Sequence, residues 1–200
     1  MLENLIAEQL LERIYDRPPV GIRTGDVVVD VGGYLGTFTR FALMQGADKV
    51  VVFEPEPTNI ECFKKTFSDE IGQGLVILVE AAAWEKREEL RFALDPTDPN
   101  TGMGRVRGDG HLTVQGVTID DTLAELGITT VDFIKMDIEG AERHALAGAH
   151  ATLSTQAPRM ALCVYHRGDD REVIPERVLA IRSSYEILMG PDQAYFYDQP

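Results

Sequence analysis

Cysteine and long apolar segments are scarce in this 200-residue sequence. The two cysteines, Cys62 and Cys163, lie far apart, which indicates reduced thiols in a cytoplasmic protein rather than a disulfide framework. No Cys/His cluster has the spacing of a zinc site. No apolar run approaches the ~20 residues that cross a bilayer, and the first residues lack the basic start of a secretory signal. We therefore predict a cytoplasmic protein without a membrane partner.

Basic residues are also few, because 19 Lys and Arg stand against 33 Asp and Glu, a formal net charge of −14. Binding to the phosphate backbone of nucleic acids needs clustered Lys and Arg, so we predict no nucleic-acid partner. Hydrophobic residues make up 44% of the chain, enough for the core of one domain. We predict a single domain over residues 1–200, with which a homodimer is compatible.

Short apolar strands alternate with helical segments along the chain. Val27–Val31 is a β-branched run typical of a buried parallel strand. The same pattern predicts further strands at 49–53, 75–79, 131–136 and 160–165, with helices between them, and two closing strands at 186–189 and 194–197. Such alternation predicts an α/β fold, a mostly parallel sheet with helices on both faces.

Two further segments frame this pattern. Apolar residues at helical spacing predict an N-terminal helix within residues 1–17, before Pro18-Pro19. Residues 95–110 are rich in Pro, Gly, Asp and Asn, which is typical of either a lid loop over a bound acceptor or a plain hairpin excursion.

A glycine loop follows the first strand and precedes a helix. Asp30, Gly32 and Gly36 fit the pattern acidic-x-Gly-x-x-x-Gly, while a dinucleotide fingerprint would need a glycine at Val31. The first pattern suits S-adenosylmethionine, which has no pyrophosphate. We expect Gly33 and Tyr34 to contact the same ligand, because the glycines let the backbone approach it closely.

Acidic residues at the ends of neighbouring strands complete the predicted pocket. Glu54 ends the second strand, where its carboxylate can accept hydrogen bonds from both ribose hydroxyls, and Pro55 can pack against adenine. Ala82 and Trp84 follow the third strand, and the indole can contact adenine or belong to the core. Asp137 follows the strand at 131–136, so we assign it to the cofactor and to catalysis.

Two more residues are candidates for catalysis. Glu139 would share the side of Asp137 if the chain stays extended there. His166 follows the strand at 160–165, where a neutral imidazole can serve as the base for a hydroxyl proton, or can simply hydrogen-bond a loop. Lys135 is expected to pair with an acid or to extend its charge into solvent.

From about Val27 to Tyr165, the sequence resembles the FkbM family of S-adenosylmethionine-dependent methyltransferases. Three of the segments that carry the resemblance are Asp30–Gly36, Val52–Pro57 and Asp120–Leu123, and the most specific is Val131–Glu142, read as VDFIKMDIEGAE. The resemblance implies a Rossmann-like class I methyltransferase fold with seven strands, the last antiparallel. It also implies methyl transfer to oxygen, typically a hydroxyl on a small molecule such as a sugar or polyketide.

Three alternatives bear on this hypothesis. An NAD(P)-dependent oxidoreductase lacks support because the first fingerprint glycine is missing, and a non-catalytic cofactor-binding module of the same fold remains open. A metal is not expected, because metal-assisted catechol-type methyltransferases place an Asp-Asp or Asp-Asn pair where this chain has Tyr165-His166-Arg167.

Overall fold

The computed structural model describes residues 7–94 and 104–198, in which strands and helices alternate as predicted. The strands are β1 Val27–Val31, β2 Lys49–Phe53, β3 Val76–Val79, β4 Ala82–Ala83, β5 Glu88–Leu94, β6 Gly104–Val106, β7 Leu112–Val117, β8 Phe133–Met136, β9 Arg159–Cys163, β10 Tyr185–Met189 and β11 Gln193–Asp198. The helices are α1 Thr37–Met44, α2 Pro57–Thr66, α3 Ser68–Gly72, α4 Ile119–Glu125, α5 Glu142–Ala147, α6 His150–Gln156 and α7 Asp170–Ile181.

Seven strands form the main sheet in the order β10-β11-β9-β8-β1-β2-β3. β1, β2, β3, β8 and β9 pair in parallel, and β11 runs antiparallel to both β9 and β10. This confirms the predicted class I methyltransferase fold with its antiparallel last strand. The chain leaves β1 toward β2 in one direction and later returns on the other side as β8, so the topological switch lies between β1 and β8.

The two faces of the main sheet are each covered by helices, because alternate strand residues point to opposite sides. Val29 and Val31 of β1 pack with side chains from α4, α5, α6 and α7. Val28 packs on the other face, with Phe38 and Phe41 of α1 and Phe63 of α2. The buried, β-branched character of β1 therefore follows from coverage on both faces.

A second sheet, in the order β4-β7-β5-β6, was not predicted from the sequence. It has its own apolar cluster of Trp84, Leu90, Phe92 and Val114, joined by Ala141. Residues 90–94 belong to this sheet as part of β5. Part of the predicted lid segment is also a strand here, since β6 pairs with β5, while residues 95–103 lie outside the described part of the chain.

The N-terminal helix is shorter than predicted within the described residues. A single π-helical stretch covers Ala7–Leu11, and Arg13 then adopts the left-handed conformation, with φ of 54°. The physical reason lies in Tyr15 and Asp16, which are both buried: Tyr15 packs in the core, and the Asp16 carboxylate accepts a hydrogen bond from the Ile22 N–H at 3.0 Å.

The helix predicted between the strands at 131–136 and 160–165 is divided into α5 and α6. At Gly148 the backbone passes so close to Trp84 that a Cβ would lie 2.0 Å from the Trp84 carbonyl oxygen. The Asp120 carboxylate then accepts hydrogen bonds from the N–H groups of Ala151 and Thr152, at 2.7 and 2.9 Å, and so caps the second segment.

The structure bears on two further expectations from the sequence, which concern the cysteine thiols and membrane-spanning segments. Cys62 is exposed, Cys163 is buried, and both thiols are free, as predicted. Over residues 7–94 and 104–198, none of the helices has the length and apolar character needed to cross a membrane.

The glycine at the start of α1 offers a test of the packing below the predicted cofactor loop. Gly36 and Gly25 both have positive φ, 85° and 91°, but a Cβ at Gly36 would lie 2.1 Å from the Phe67 ring, whereas Gly25 has open space. We expect Gly25→Ala to lower the free energy of unfolding by about 1–2 kcal/mol, the cost of a left-handed alanine. Gly36→Ala should cost about 1–3 kcal/mol more, because the side chain is also overpacked. Urea denaturation of the two variants checks this, and equal losses would contradict the packing described here.

Candidate functional site

A cleft opens at the carboxyl ends of β1, β2 and β8, beside the topological switch. Among the described residues, its lining includes eight of the residues predicted from the sequence: Gly32, Gly33, Tyr34, Glu54, Pro55, Ala82, Asp137 and Glu139. The small sheet closes another side of the cleft with Phe92, Gly104 and Val106. Residues from separate parts of the chain therefore meet at one rim of the main sheet.

The turn after β1 needs glycine for steric reasons. Gly32 has φ of 89°, and a Cβ on it would lie 2.1 Å from the Asp137 carbonyl oxygen. A Cβ on Gly33 would lie 2.2 Å from the Val52 side chain. The N–H groups of Gly32 and Gly33 both donate to the Phe53 carbonyl, at 3.0 and 3.1 Å, so the loop is fixed against the end of β2.

A buried ion pair lies beneath this loop. Asp30 of β1 and Lys135 of β8 are register partners, and the Lys135 Nζ lies 3.2 Å from Asp30 Oδ1. The other Asp30 oxygen accepts a hydrogen bond from Thr39 at 2.7 Å, and Lys135 donates to the Gly32 carbonyl at 2.7 Å. Burial alone would lower the Lys135 pKa, but the carboxylates of Asp30 and Asp137 outweigh it and raise that pKa, so the ammonium stays charged.

The Glu54 carboxylate forms the β2 side of the cleft. One oxygen accepts a hydrogen bond from the Tyr34 N–H at 2.7 Å, and the other accepts from the Glu56 N–H at 2.9 Å and the Asn59 amide at 3.2 Å. Burial raises the Glu54 pKa, and these hydrogen bonds offset the rise only in part. Each carboxylate oxygen has more than one lone pair, so the group can still accept from a ligand in the cleft.

Besides Lys135, the β8 side of the cleft has a group of three acids and a histidine, which we call the acid–histidine cluster: Asp137, Glu139, Glu142 and His166. The His166 Nε2 lies 3.4 Å from Asp137 and 3.6 Å from Glu139, and its Nδ1 lies 3.0 Å from Glu142. Burial raises the Glu139 pKa, although nearby His166 opposes the rise. The cluster therefore places two carboxylates in the cleft with an imidazole behind them.

The backbone after β8 does not stay extended, contrary to the condition set for Glu139 in the sequence analysis. Glu139 and Gly140 both have positive φ, 55° and 93°. This left-handed turn brings Glu139 back beside Asp137, so the two carboxylates share the cleft by a different route. The Ile138 N–H donates to the Glu142 carboxylate at 2.9 Å and fixes the turn from inside.

Four predicted residues take positions behind the lining rather than in it. Asp30 is fully buried under the loop, and Gly36 packs on Phe67. Trp84 stacks on His144 at 3.8 Å between ring centroids and donates to Glu88, so its indole belongs to the core of the small sheet. The His166 side chain is only 6% exposed and faces the carboxylates.

Two residues of the site were missed by sequence reasoning because they come from the N-terminal segment. Gln9 lines the cleft, and the Tyr15 hydroxyl donates to Asp137 Oδ2 at 2.7 Å. Burial, together with the Asp137 charge, raises the Tyr15 pKa well above its usual value, so the phenol remains a donor. No local pattern marks Tyr15, which is distant in sequence from its partner.

The chain is similar to known methyltransferases. The family described as "Methyltransferase FkbM domain" matches residues 30–187. The chain is similar to the 31-O-demethyl-FK506 methyltransferase FkbM of Streptomyces tacrolimicus, 28% identical over 72% of this chain and 67% of that protein. It is also similar to the hexuronic acid methyltransferase AglP of Haloferax volcanii, 24% identical over 81% of this chain and 65% of that protein.

Among solved structures, the fold is similar to that of the methyltransferase FkbM from Methylobacillus flagellatus KT. The TM-score is 0.68 at 22% identity, over 92% of this chain and 49% of that one. The chain thus spans about two thirds of these curated relatives and about half of this crystallised chain.

The ion pair beneath the loop can be tested by stability. Lys135→Met leaves the Asp30 carboxylate buried without its cation, so we expect a loss of about 3–5 kcal/mol in the free energy of unfolding. The double variant Asp30→Asn, Lys135→Met removes both charges and should recover part of that loss. Urea denaturation of the single and double variants measures the coupling. A double variant no more stable than Lys135→Met would contradict the described pairing.

Proposed function

Since the chain belongs to the FkbM methyltransferase domain family, we propose that it is an S-adenosylmethionine-dependent methyltransferase that acts on a hydroxyl of a small molecule. The observation that carries this proposal is the cleft itself, where the glycine loop after β1 and the Glu54 carboxylate after β2 face the same space. A nucleoside with an amino-acid tail needs both a close backbone approach and a carboxylate for its ribose.

The lining residues fit that cofactor on structural grounds. A Cβ on Gly32 or Gly33 would collide with Asp137 or Val52, so only glycine lets the loop take this path, and its backbone lines the cleft. Glu54 would hold the ribose hydroxyls, and Pro55 and Ala82 would pack beside the base, as the sequence analysis predicts. Lys135 holds the loop in place through the Gly32 carbonyl.

When bound, the cofactor supplies a methyl group already activated on a sulfonium. The chain's own residues then have to orient the acceptor hydroxyl and manage its proton, and orientation alone can supply several kcal/mol of the barrier reduction. We assign this role to the β8 side, where Asp137 and Glu139 reach the cleft. His166 acts on the acceptor through these carboxylates, because its own ring is buried behind them.

The acceptor class is inferred from chemistry and from the relatives. The relatives' names describe one enzyme that acts on 31-O-demethyl-FK506 and one that acts on hexuronic acid. The cleft here combines apolar walls from Phe92 and Val106 with the carboxylates of Asp137 and Glu139. A neutral, hydroxyl-rich acceptor such as a sugar or polyketide fits that combination.

Cofactor binding can be tested without knowing the acceptor. S-adenosylmethionine at ~100 Kd should stabilise the protein by about 2.7 kcal/mol, seen as a rise in Tm, and NAD should cause no shift. Glu54→Gln should weaken the affinity for S-adenosylhomocysteine by about tenfold or more, because a charged acceptor is lost. Glu80→Gln is the matched control, since Glu80 directly follows β3 and pairs with Lys64. A shift with NAD alone would support the oxidoreductase alternative and contradict the proposal.

Transfer can be tested with a panel of sugar and polyketide hydroxyl compounds, by mass detection of an added methyl group. With an acceptor so found, Asp137→Asn and His166→Asn should each lower kcat by about 10²-fold or more, since the acceptor loses its alignment or its proton acceptor. The KM for the cofactor should change less in His166→Asn than in Asp137→Asn, because the His166 ring lies behind the cleft lining. Unchanged kcat values would exclude the cluster from the chemistry. Binding of the cofactor without methylation of any compound in the panel would instead favour a non-catalytic module.

A further inference from the structure

The acid–histidine cluster has an arrangement that hydrogen bonding within the protein does not account for. Ligand atoms of Asp137, Glu139 and His166 all lie within 4.8 Å of one another. The His166 Nε2 is 3.4 Å from one carboxylate and 3.6 Å from the other. Atoms bound about 2.0–2.2 Å from one shared cation lie roughly 3–3.5 Å apart, so these separations suit neighbouring ligands of a cation.

A second observation concerns the imidazole itself. The His166 side chain is 94% buried, as its 6% exposure shows, and within the described parts of the chain neither ring nitrogen makes a hydrogen bond of acceptable geometry. The Nδ1 atom lies 3.0 Å from Glu142 Oε1. A histidine that ligates a metal commonly directs its other ring nitrogen at a carboxylate, which leaves the lone pair of the first nitrogen free. Here that lone pair would point at Asp137 and Glu139.

One of the two carboxylates, that of Asp137, is also held in place for such a role. The Tyr15 hydroxyl takes Asp137 Oδ2 as its acceptor and leaves Oδ1, the atom nearest His166, for another partner. Glu142 is fixed by the Ile138 N–H and does not reach the cleft lining. A lone pair directed at two carboxylates is repulsive unless a proton on the ring or a cation between the three groups offsets their charge.

We infer, against the expectation from the sequence, that Asp137, Glu139 and His166 bind one divalent metal cation at the acceptor side of the cleft. Two carboxylate oxygens and one imidazole nitrogen form a mixed ligand set that suits Mn²⁺ or Zn²⁺ better than Mg²⁺. The expectation that no metal binds was based on Tyr165-His166-Arg167, the residues after β9. The proposed ligand set combines His166 from that segment with Asp137 and Glu139, which follow β8.

Three protein ligands leave coordination positions open to the cleft, because Asp137 and Glu139 line it. Water would fill these positions in the free protein. A hydroxyl-rich acceptor could replace that water with its own oxygens, and this last role, unlike the binding of the cation, rests on the proposed function.

The test uses Mn²⁺ as the probe and the full chain after treatment with a chelator. In buffer with ~0.15 M salt, which screens the acidic surface, electron paramagnetic resonance should show one bound Mn²⁺ per chain. Pulsed measurements should also show coupling to an imidazole nitrogen. Glu139→Gln should weaken Mn²⁺ binding at least tenfold, and His166→Asn should remove the nitrogen coupling. Glu139 is partly exposed, so its variant remains informative if His166→Asn does not fold.

The matched control is Glu85→Gln, because Glu85 and His144 form a histidine–carboxylate pair outside the cleft, 3.0 Å apart. This variant should bind Mn²⁺ like the unaltered chain. The inference is overturned if neither Mn²⁺ nor Zn²⁺ binds above the level of the screened surface, or if Glu139→Gln binds Mn²⁺ as tightly as the unaltered chain. S-adenosylhomocysteine titrated into metal-free protein reports on the proposed function separately, so either proposal can fail alone.

Discussion

The buried ion pair between Asp30 and Lys135 is the interaction on which the site depends. It joins β1 to β8 at the centre of the main sheet, and its ammonium also holds the carbonyl of Gly32. A charge so deeply buried is tolerated only with a charged partner and hydrogen bonds, and Lys135 has both. Gly32 and Asp137 directly follow these two strands. The ion pair therefore fixes the two sides of the cleft relative to each other.

The division of charge across the cleft follows from the sheet topology. Glu54 after β2 and Asp137 after β8 flank β1, so carboxylates stand on opposite sides of the glycine loop. Methyl transfer from a sulfonium removes its positive charge, and a carboxylate held tightly against sulfur would favour the ground state over the transition state. In the proposed binding mode, acids at the ribose on one side and at the acceptor on the other avoid that penalty.

The sequence predicts the main sheet well because its signals are local. The β-branched run Val27–Val31, the glycines after it and Glu54 at the next strand end are each recognisable within a few residues. The small sheet is different, since β4 has two residues and β6 three, and each is stabilised by pairing with a distant strand. Alternation in such short segments is too weak to identify them.

Site residues were predictable to the extent that strand ends determine their positions. His166 follows β9 in the chain, as its sequence position indicates, but the direction of its ring depends on Glu142, which belongs to another element. Tyr15 reaches Asp137 across 122 positions of sequence, and no local pattern encodes that contact.

The most direct test of cofactor binding in the cleft is a crystal structure with S-adenosylhomocysteine. We expect the nucleoside to lie in the cleft with its ribose hydroxyls on Glu54. A ligand bound elsewhere, or a Glu54 carboxylate that contacts only its own protein's N–H groups, would contradict it.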